Sequence, residues 1–92
     1  MIHVLLKPCG PMQAAFGAPE LAFELPDGAT LGELLDRIGA QYGERLESLW
    51  NVRERRFRGP VVIEADAKVV KDRATPLRDR QTVKLHKAIV GG

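Results

Sequence analysis

One stripe of apolar residues limits what this chain can fold into. Leu31, Leu34, Leu35, Ile38 and Tyr42 fall at i, i+3, i+4, i+7 and i+11, the spacing that lines one face of an α-helix. The other apolar segments are short. Ile2 to Leu6, Leu21-Ala22-Phe23-Glu24-Leu25, Val61-Val62-Ile63, Val69-Val70 and Thr82-Val83-Lys84-Leu85-His86 are brief runs or alternate with period two, which is how strands read. A lone amphipathic helix needs an apolar surface to cover, and a sheet provides it. The predicted class is therefore α+β, a mixed sheet of four to five strands with one main helix packed across it.

Turn chemistry orders these pieces. Pro8-Cys9-Gly10-Pro11 closes the first strand, and Met12 to Pro19 reads as a loop from which Phe16 dips into the core. The first two strands then form a hairpin with a long connection. Pro26-Asp27-Gly28-Ala29 is a turn, and Thr30 with Glu33 has the spacing of a capping box that opens the helix at Leu31. Gly43 reads as the helix C-cap. Leu46, Leu49 and Trp50 form a smaller apolar group, a short helix or turn closing the open edge of the core. Ala65-Asp66-Ala67 and Thr75 to Asp79 read as turns. Val83 and Leu85 point inward, with Ile2, Val4 and Leu6.

Ninety-two residues make one small domain, expected to span 1–92 with 87–92 as a flexible tail. A composition of 45% hydrophobic and 28% charged residues is that of a folded chain rather than a disordered one. Formal net charge is only +2, which makes nucleic acid an unexpected partner. Arg53, Arg55, Arg56 and Arg58 around Phe57 read as a solvated loop or sheet edge, with phosphate or RNA contact as the alternative. The single cysteine, Cys9, rules out an internal disulfide. It is an incidental loop residue or, alternatively, a thiol that relays sulfur. The opening residues lack the basic stretch of a signal peptide, and no apolar run nears the ~20 residues of a membrane span. A cytoplasmic protein is expected.

The candidate reactive group is the end of the chain. Gly91-Gly92 carries no β-carbon, so a terminal carboxylate there can be threaded into a narrow cleft and approached from either side. Ile89, Val90 and Gly91 would be the tail that a partner grips. The alternative is a chain that merely stops at two glycines. His3, Leu5, Lys84 and His86 are expected to face outward on the first and last strands, either as ordinary solvated residues or, where those two strands are neighbours, as a partner docking patch. Two histidines fall short of the three or four ligands of a metal site, so no metal is expected.

In order and spacing these pieces resemble the ubiquitin-like β-grasp family, and within it the bacterial and archaeal sulfur carriers: the small subunit of molybdopterin synthase and the thiamin-type carrier. The resemblance rests on Ile2-His3-Val4-Leu5-Leu6, Pro26-Asp27-Gly28-Ala29-Thr30-Leu31, Ala74-Thr75-Pro76-Leu77-Arg78-Asp79 and Gly91-Gly92. Where the family often has Asp-Gly before its last strand, this chain has Asp79-Arg80, and where it often has Pro-Pro before the tail, this chain has Lys87-Ala88. The length between Gly43 and Gly59 is closer to carriers that serve cysteine or other sulfur metabolites. The resemblance implies a carrier rather than an enzyme, with no bound cofactor. Its partners would be a ubiquitin-activating-type adenylating enzyme, which uses ATP on Gly92, and a sulfur-accepting synthase of molybdopterin, cysteine or thiamin type. Two other readings remain: a modifier conjugated through Gly92 to lysines, and a plain interaction or RNA-binding β-grasp domain.

Overall fold

The computed structural model describes residues 1–46, 49–58 and 61–87. Strand β1 (Ile2–Pro8) buries Ile2, Val4, Leu6 and Pro8 and turns His3, Leu5 and Lys7 outward, as period-two alternation requires. β2 (Leu21–Leu25) pairs with it antiparallel, from Ile2↔Leu25 to Leu6↔Leu21. β7 (Gln81–Lys87) lies parallel on its other side, from Val4↔Gln81 to Pro8↔Leu85. β5 (Val61–Ala65) pairs antiparallel with β7, and β6 (Lys68–Val69) with β5. The sheet order is β2-β1-β7-β5-β6, with the first and last strands of the chain at its centre.

The helix stripe is where the spacing predicts it. α2 (Leu31–Leu46) buries Leu31, Leu34, Leu35 and Ile38 in one core with Val4, Leu6, Phe23, Leu25, Val83 and Leu85. Its first N–H groups have no intrahelical acceptor. The segment before β7 supplies some, with Leu31 donating to the Thr75 carbonyl and Gly32 to the Arg73 carbonyl, both at 2.8 Å. Half of the capping box forms, Glu33 N–H to Thr30 Oγ1 at 3.4 Å.

Three local expectations are corrected. The Met12–Pro19 loop is in its first part a short helix, α1 (Pro11–Phe16), begun by Pro11 at its first turn and closed by Gly17 at φ 76. Met12 and Phe16, four residues apart, both point into the core. Gly43 does not cap α2, which runs one turn further to Leu46. The cause is Trp50: its ring lies against Gly39 and Gly43, and a Cβ at Gly39 would come within 2.6 Å of Trp50 Cζ2. The two glycines make a flat seat for an indole, and burial of Trp50 and Leu46 offsets their poor helix propensity. Finally, of the group read as a short helix or turn, Leu49 is helical but Trp50 belongs to a hairpin, β3 (Trp50–Asn51) with β4 (Arg56–Phe57). Trp50 and Phe57 meet edge to face at 5.0 Å, Phe57 meets Phe16 at 6.4 Å and Phe16 meets Tyr42 at 5.3 Å. This aromatic chain ties the hairpin to both helices. Among the described residues, no helix is long and apolar enough to cross a membrane.

Candidate functional site

β7 is flanked by β1 on one side as far as Leu85 and by β5 on the other as far as Lys87, which pairs with Val61. Residues 88–92 follow. The tail residues singled out from the sequence, Ile89, Val90, Gly91 and Gly92, lie outside the described residues. What the structure gives is the root from which they leave.

On the outward face beside this root, Lys84 stands between Lys7 of β1 and Glu64 of β5, its register partners. Leu5, half-buried, lies one step back along β1 opposite Thr82. His86 is opposite Val62, and its Nε2 is 3.8 Å from Glu64 Oε2. That nitrogen is shielded from solvent and has no hydrogen-bond partner among the described residues. Lys7 also approaches Glu20, at 3.7 Å. The surface at the root is thus a partly apolar strip bearing mixed charge, with lysines at 7 and 84.

His3 is not part of this group. All four sequence candidates share the outward face, but Arg80 N–H donates to the His3 carbonyl at 2.7 Å, which puts His3 at the start of β7. Six residues separate Arg80 from His86, about 20 Å along a strand. His3 instead belongs to a cluster at the opposite end of the sheet. Its Nε2 is 3.4 Å from Glu24, its Nδ1 3.4 Å from Asp79, and its backbone N–H donates to Asp79 Oδ1 at 2.8 Å. That backbone bond, aided by the His3 side chain and the charge of Arg80, holds the Asp79 carboxyl below its ordinary pKa. The parallel register causes the separation, since it sets His3 beside the beginning of β7 and Pro8 beside Leu85.

Arg80, in the place where similar carriers often have glycine, adopts φ 64. The backbone there is left-handed, a shape that glycine takes without strain. Cys9 is partly buried, and its N–H donates to the Leu85 carbonyl at 2.8 Å. Among the described residues no group of three or more His, Cys, Asp or Glu could hold a metal ion. In the arginine run, Arg56 pairs with Glu54 at 2.8 Å and Arg55 with Asp36 at 3.7 Å. The Phe57 ring is occupied by Trp50 and Phe16, which leaves it poorly placed to stack on a base. Sequence reasoning missed Lys7 and Glu64 as neighbours of the tail root. Lys7 follows Leu5 by two residues and could have been found by alternation, whereas Glu64 depends on strand order.

Solved structures with the same architecture include SAMP1 from Haloferax volcanii, with TM-score 0.80, 14% identity and coverage of 98% of this chain and 99% of that one. A putative molybdopterin converting factor, subunit 1, from Pyrococcus furiosus matches with TM-score 0.77 and 20% identity over 97% and 100%. The small archaeal modifier protein 1 from Methanosarcina acetivorans matches with TM-score 0.76 and 18% identity over 100% and 98%. At these identities the likeness establishes the fold, which is the ubiquitin-like β-grasp. No curated protein matches the chain by sequence. The ThiS family matches residues 10–92, nearly the whole length, and the chain belongs to that family.

Proposed function

We propose that this protein is a sulfur carrier whose reactive group is the carboxylate of Gly92. The observation that carries the reading is the family match running through Gly92, on a fold whose central strand leads directly to residues 88–92. A carboxylate is a poor electrophile. In the proposed cycle a ubiquitin-activating-type enzyme binds ATP, and a Gly92 oxygen attacks the α-phosphorus as pyrophosphate leaves. A sulfur nucleophile then adds to the acyl adenylate and AMP departs, leaving a thiocarboxylate for a sulfur-accepting synthase. The partner supplies the electrostatic stabilisation of the acyl transfer. The carrier supplies an end narrow enough for that cleft, and a docking surface at the tail root made of Leu5, Lys7, Lys84 and His86.

A modifier reading shares the activation step but ends with the acyl group on a lysine amine. It is favoured by the neighbour from Methanosarcina acetivorans described as a small archaeal modifier protein. The activation step is tested by ATP–pyrophosphate exchange with the cognate activating enzyme, with thermal melts on the same samples. Deletion of Gly92 and Gly91→Val should abolish exchange while the melt stays unchanged. Leu5→Asp or His86→Asp should weaken exchange through docking, and His3→Asp, at the far end of the sheet, should not. Full exchange by the protein lacking Gly92 would remove the terminus from the mechanism.

A further inference from the structure

The edge of the sheet remote from β2 is incompletely covered. β6 pairs with β5 only at Glu64↔Val69 and Ala65↔Lys68, extended by Val70 N–H to the Ile63 carbonyl at 2.8 Å. That bond shows that Ile63 turns its backbone polar groups away from β7. By antiparallel alternation Val61 does the same. Among the described residues, no backbone group pairs with Val61 on this edge or with the Ile63 N–H. Unpaired strand edges are templates for another strand.

This edge opens onto a groove of about 610 Å³, bounded on the other side by the β3–β4 hairpin. Leu35, Phe57, Ile63 and Val70 give it apolar walls, and Arg56, Arg58, Lys71 and Arg73 give it a basic rim. Glu54, the one carboxylate among the described lining residues, is engaged by Arg56 at 2.8 Å. Arg73 is engaged by Asp36 at 2.8 Å. Arg58 donates to the Trp50 carbonyl at 3.1 Å, and neither it nor Lys71 has a carboxylate partner among the described residues. Two cations without a carboxylate partner among the described residues therefore line the groove beside an open strand edge, with apolar surface between them.

We infer that this groove receives an acidic, extended segment of a partner protein, which pairs with the open backbone groups of Val61 past the end of β6, where Val70 already stands opposite Ile63, and sets its carboxylates against Arg58 and Lys71. Backbone hydrogen bonds to the edge give such a segment its register, and the apolar walls take its alternate side chains. The charge pattern selects acidic over basic segments. A nucleic acid fits less well because it has no backbone complement to a strand edge and because the Phe57 ring is already packed against Trp50 and Phe16. Val61 pairs with Lys87, so a partner held here lies one strand from the tail root. The proposal itself does not depend on Gly92 chemistry.

The test is an NMR titration of the full chain with a capped peptide of alternating glutamate and valine, six residues long. Saturable shifts are expected at the amides of Val61, Ile63, Val70 and Lys71. Arg58→Glu combined with Lys71→Glu should weaken binding at least about tenfold, and Lys71→Gln, a milder change at an exposed site, should weaken it by a smaller factor with an unchanged melt. The same peptide with every backbone amide N-methylated keeps its charge but loses its donors, and should not bind. A protein ending at Lys87 should bind as the parent does. Several results would overturn the inference: no saturation, equal binding by the N-methylated peptide or by a lysine–valine peptide, or binding that appears only after the tail is removed. So would tighter binding of an eight-nucleotide oligouridylate at the same residues, which would make the groove a nucleic-acid site.

Discussion

Gly39 and Gly43 lie one turn apart on α2, and replacing each by alanine should move stability in opposite directions. In a helix interior, Gly→Ala gains about 1 kcal/mol from backbone entropy and propensity. At Gly43 the new Cβ would meet Trp50 Cδ1 at 3.5 Å, an ordinary contact, so most of that gain should appear. At Gly39 the Cβ would approach Trp50 Cζ2 to 2.6 Å, Cε2 to 3.0 Å and Nε1 to 3.1 Å. Trp50 is buried and packed edge to face on Phe57, so it cannot swing aside cheaply. Overpacking of this kind costs about 1 to 3 kcal/mol, which gives a net loss of about 1 kcal/mol once the propensity gain is subtracted. Urea denaturation followed by circular dichroism reads both variants, as a rise in midpoint for Gly43→Ala and a fall for Gly39→Ala with the slope unchanged. In a Trp50→Ala background the collision disappears, so Gly39→Ala should then stabilise, and the double-mutant cycle isolates the coupling. If both glycine variants shift alike in the parent protein, Trp50 does not lie on this helix face. If Gly43→Ala destabilises, Gly43 is the left-handed helix end that its sequence position first suggests.

Ile38, fully buried at the centre of the helix stripe, should lose about 2 to 5 kcal/mol on Ile38→Ala; a denaturant melt showing less than about 0.5 kcal/mol would place the core elsewhere. Ala67 at φ 62 and Arg80 at φ 64 hold left-handed backbone at a cost of about 1 to 2 kcal/mol, so Ala67→Gly and Arg80→Gly should each stabilise by about 0.5 to 1 kcal/mol net of glycine's own entropy, read as a rise in urea midpoint. Asp79 has its folded pKa lowered from 3.8, so its charge contributes stability above that value, and the contribution is lost as pH falls through the folded pKa. Asp79→Asn should therefore be less stable than the parent at neutral pH, with a deficit that closes as the solution is acidified below 3.8; a pH-independent difference in melts would assign the effect to shape alone.

Features written in local periodicity were legible. The spacing of Leu31, Leu34, Leu35 and Ile38 located the helix, and the alternation around Phe23, Val83 and Leu85 located the strands and their inward faces. Features decided by distant contacts were not. Gly43 carries the local signal of a helix end, and only the Trp50 ring, from another element, explains why the helix continues. β3 and β4 have two residues each, too few to display a period. α1 has the local marks of Pro11, the Met12 and Phe16 pair and Gly17, but its six residues are too short for a stripe. The grouping of His3 with His86 failed for a related reason. Facing follows from parity, which a sequence shows, while distance follows from register, set here by the parallel β1–β7 pairing. The basic groove was half visible as an arginine run, but the other half, the open edge at Val61, exists only once β6 has been placed.

The most direct test of the carrier reading is the intact mass of the protein after incubation with ATP, its cognate activating enzyme and a sulfide source. Replacement of one Gly92 oxygen by sulfur should add about 16 Da, and tandem fragmentation should place the gain on the last residue. Protein lacking Gly92 should gain nothing. Higher-mass conjugates joined through Gly92 to lysine would make the chain a modifier, and an unchanged mass with an enzyme proven active would contradict activation at Gly92 altogether.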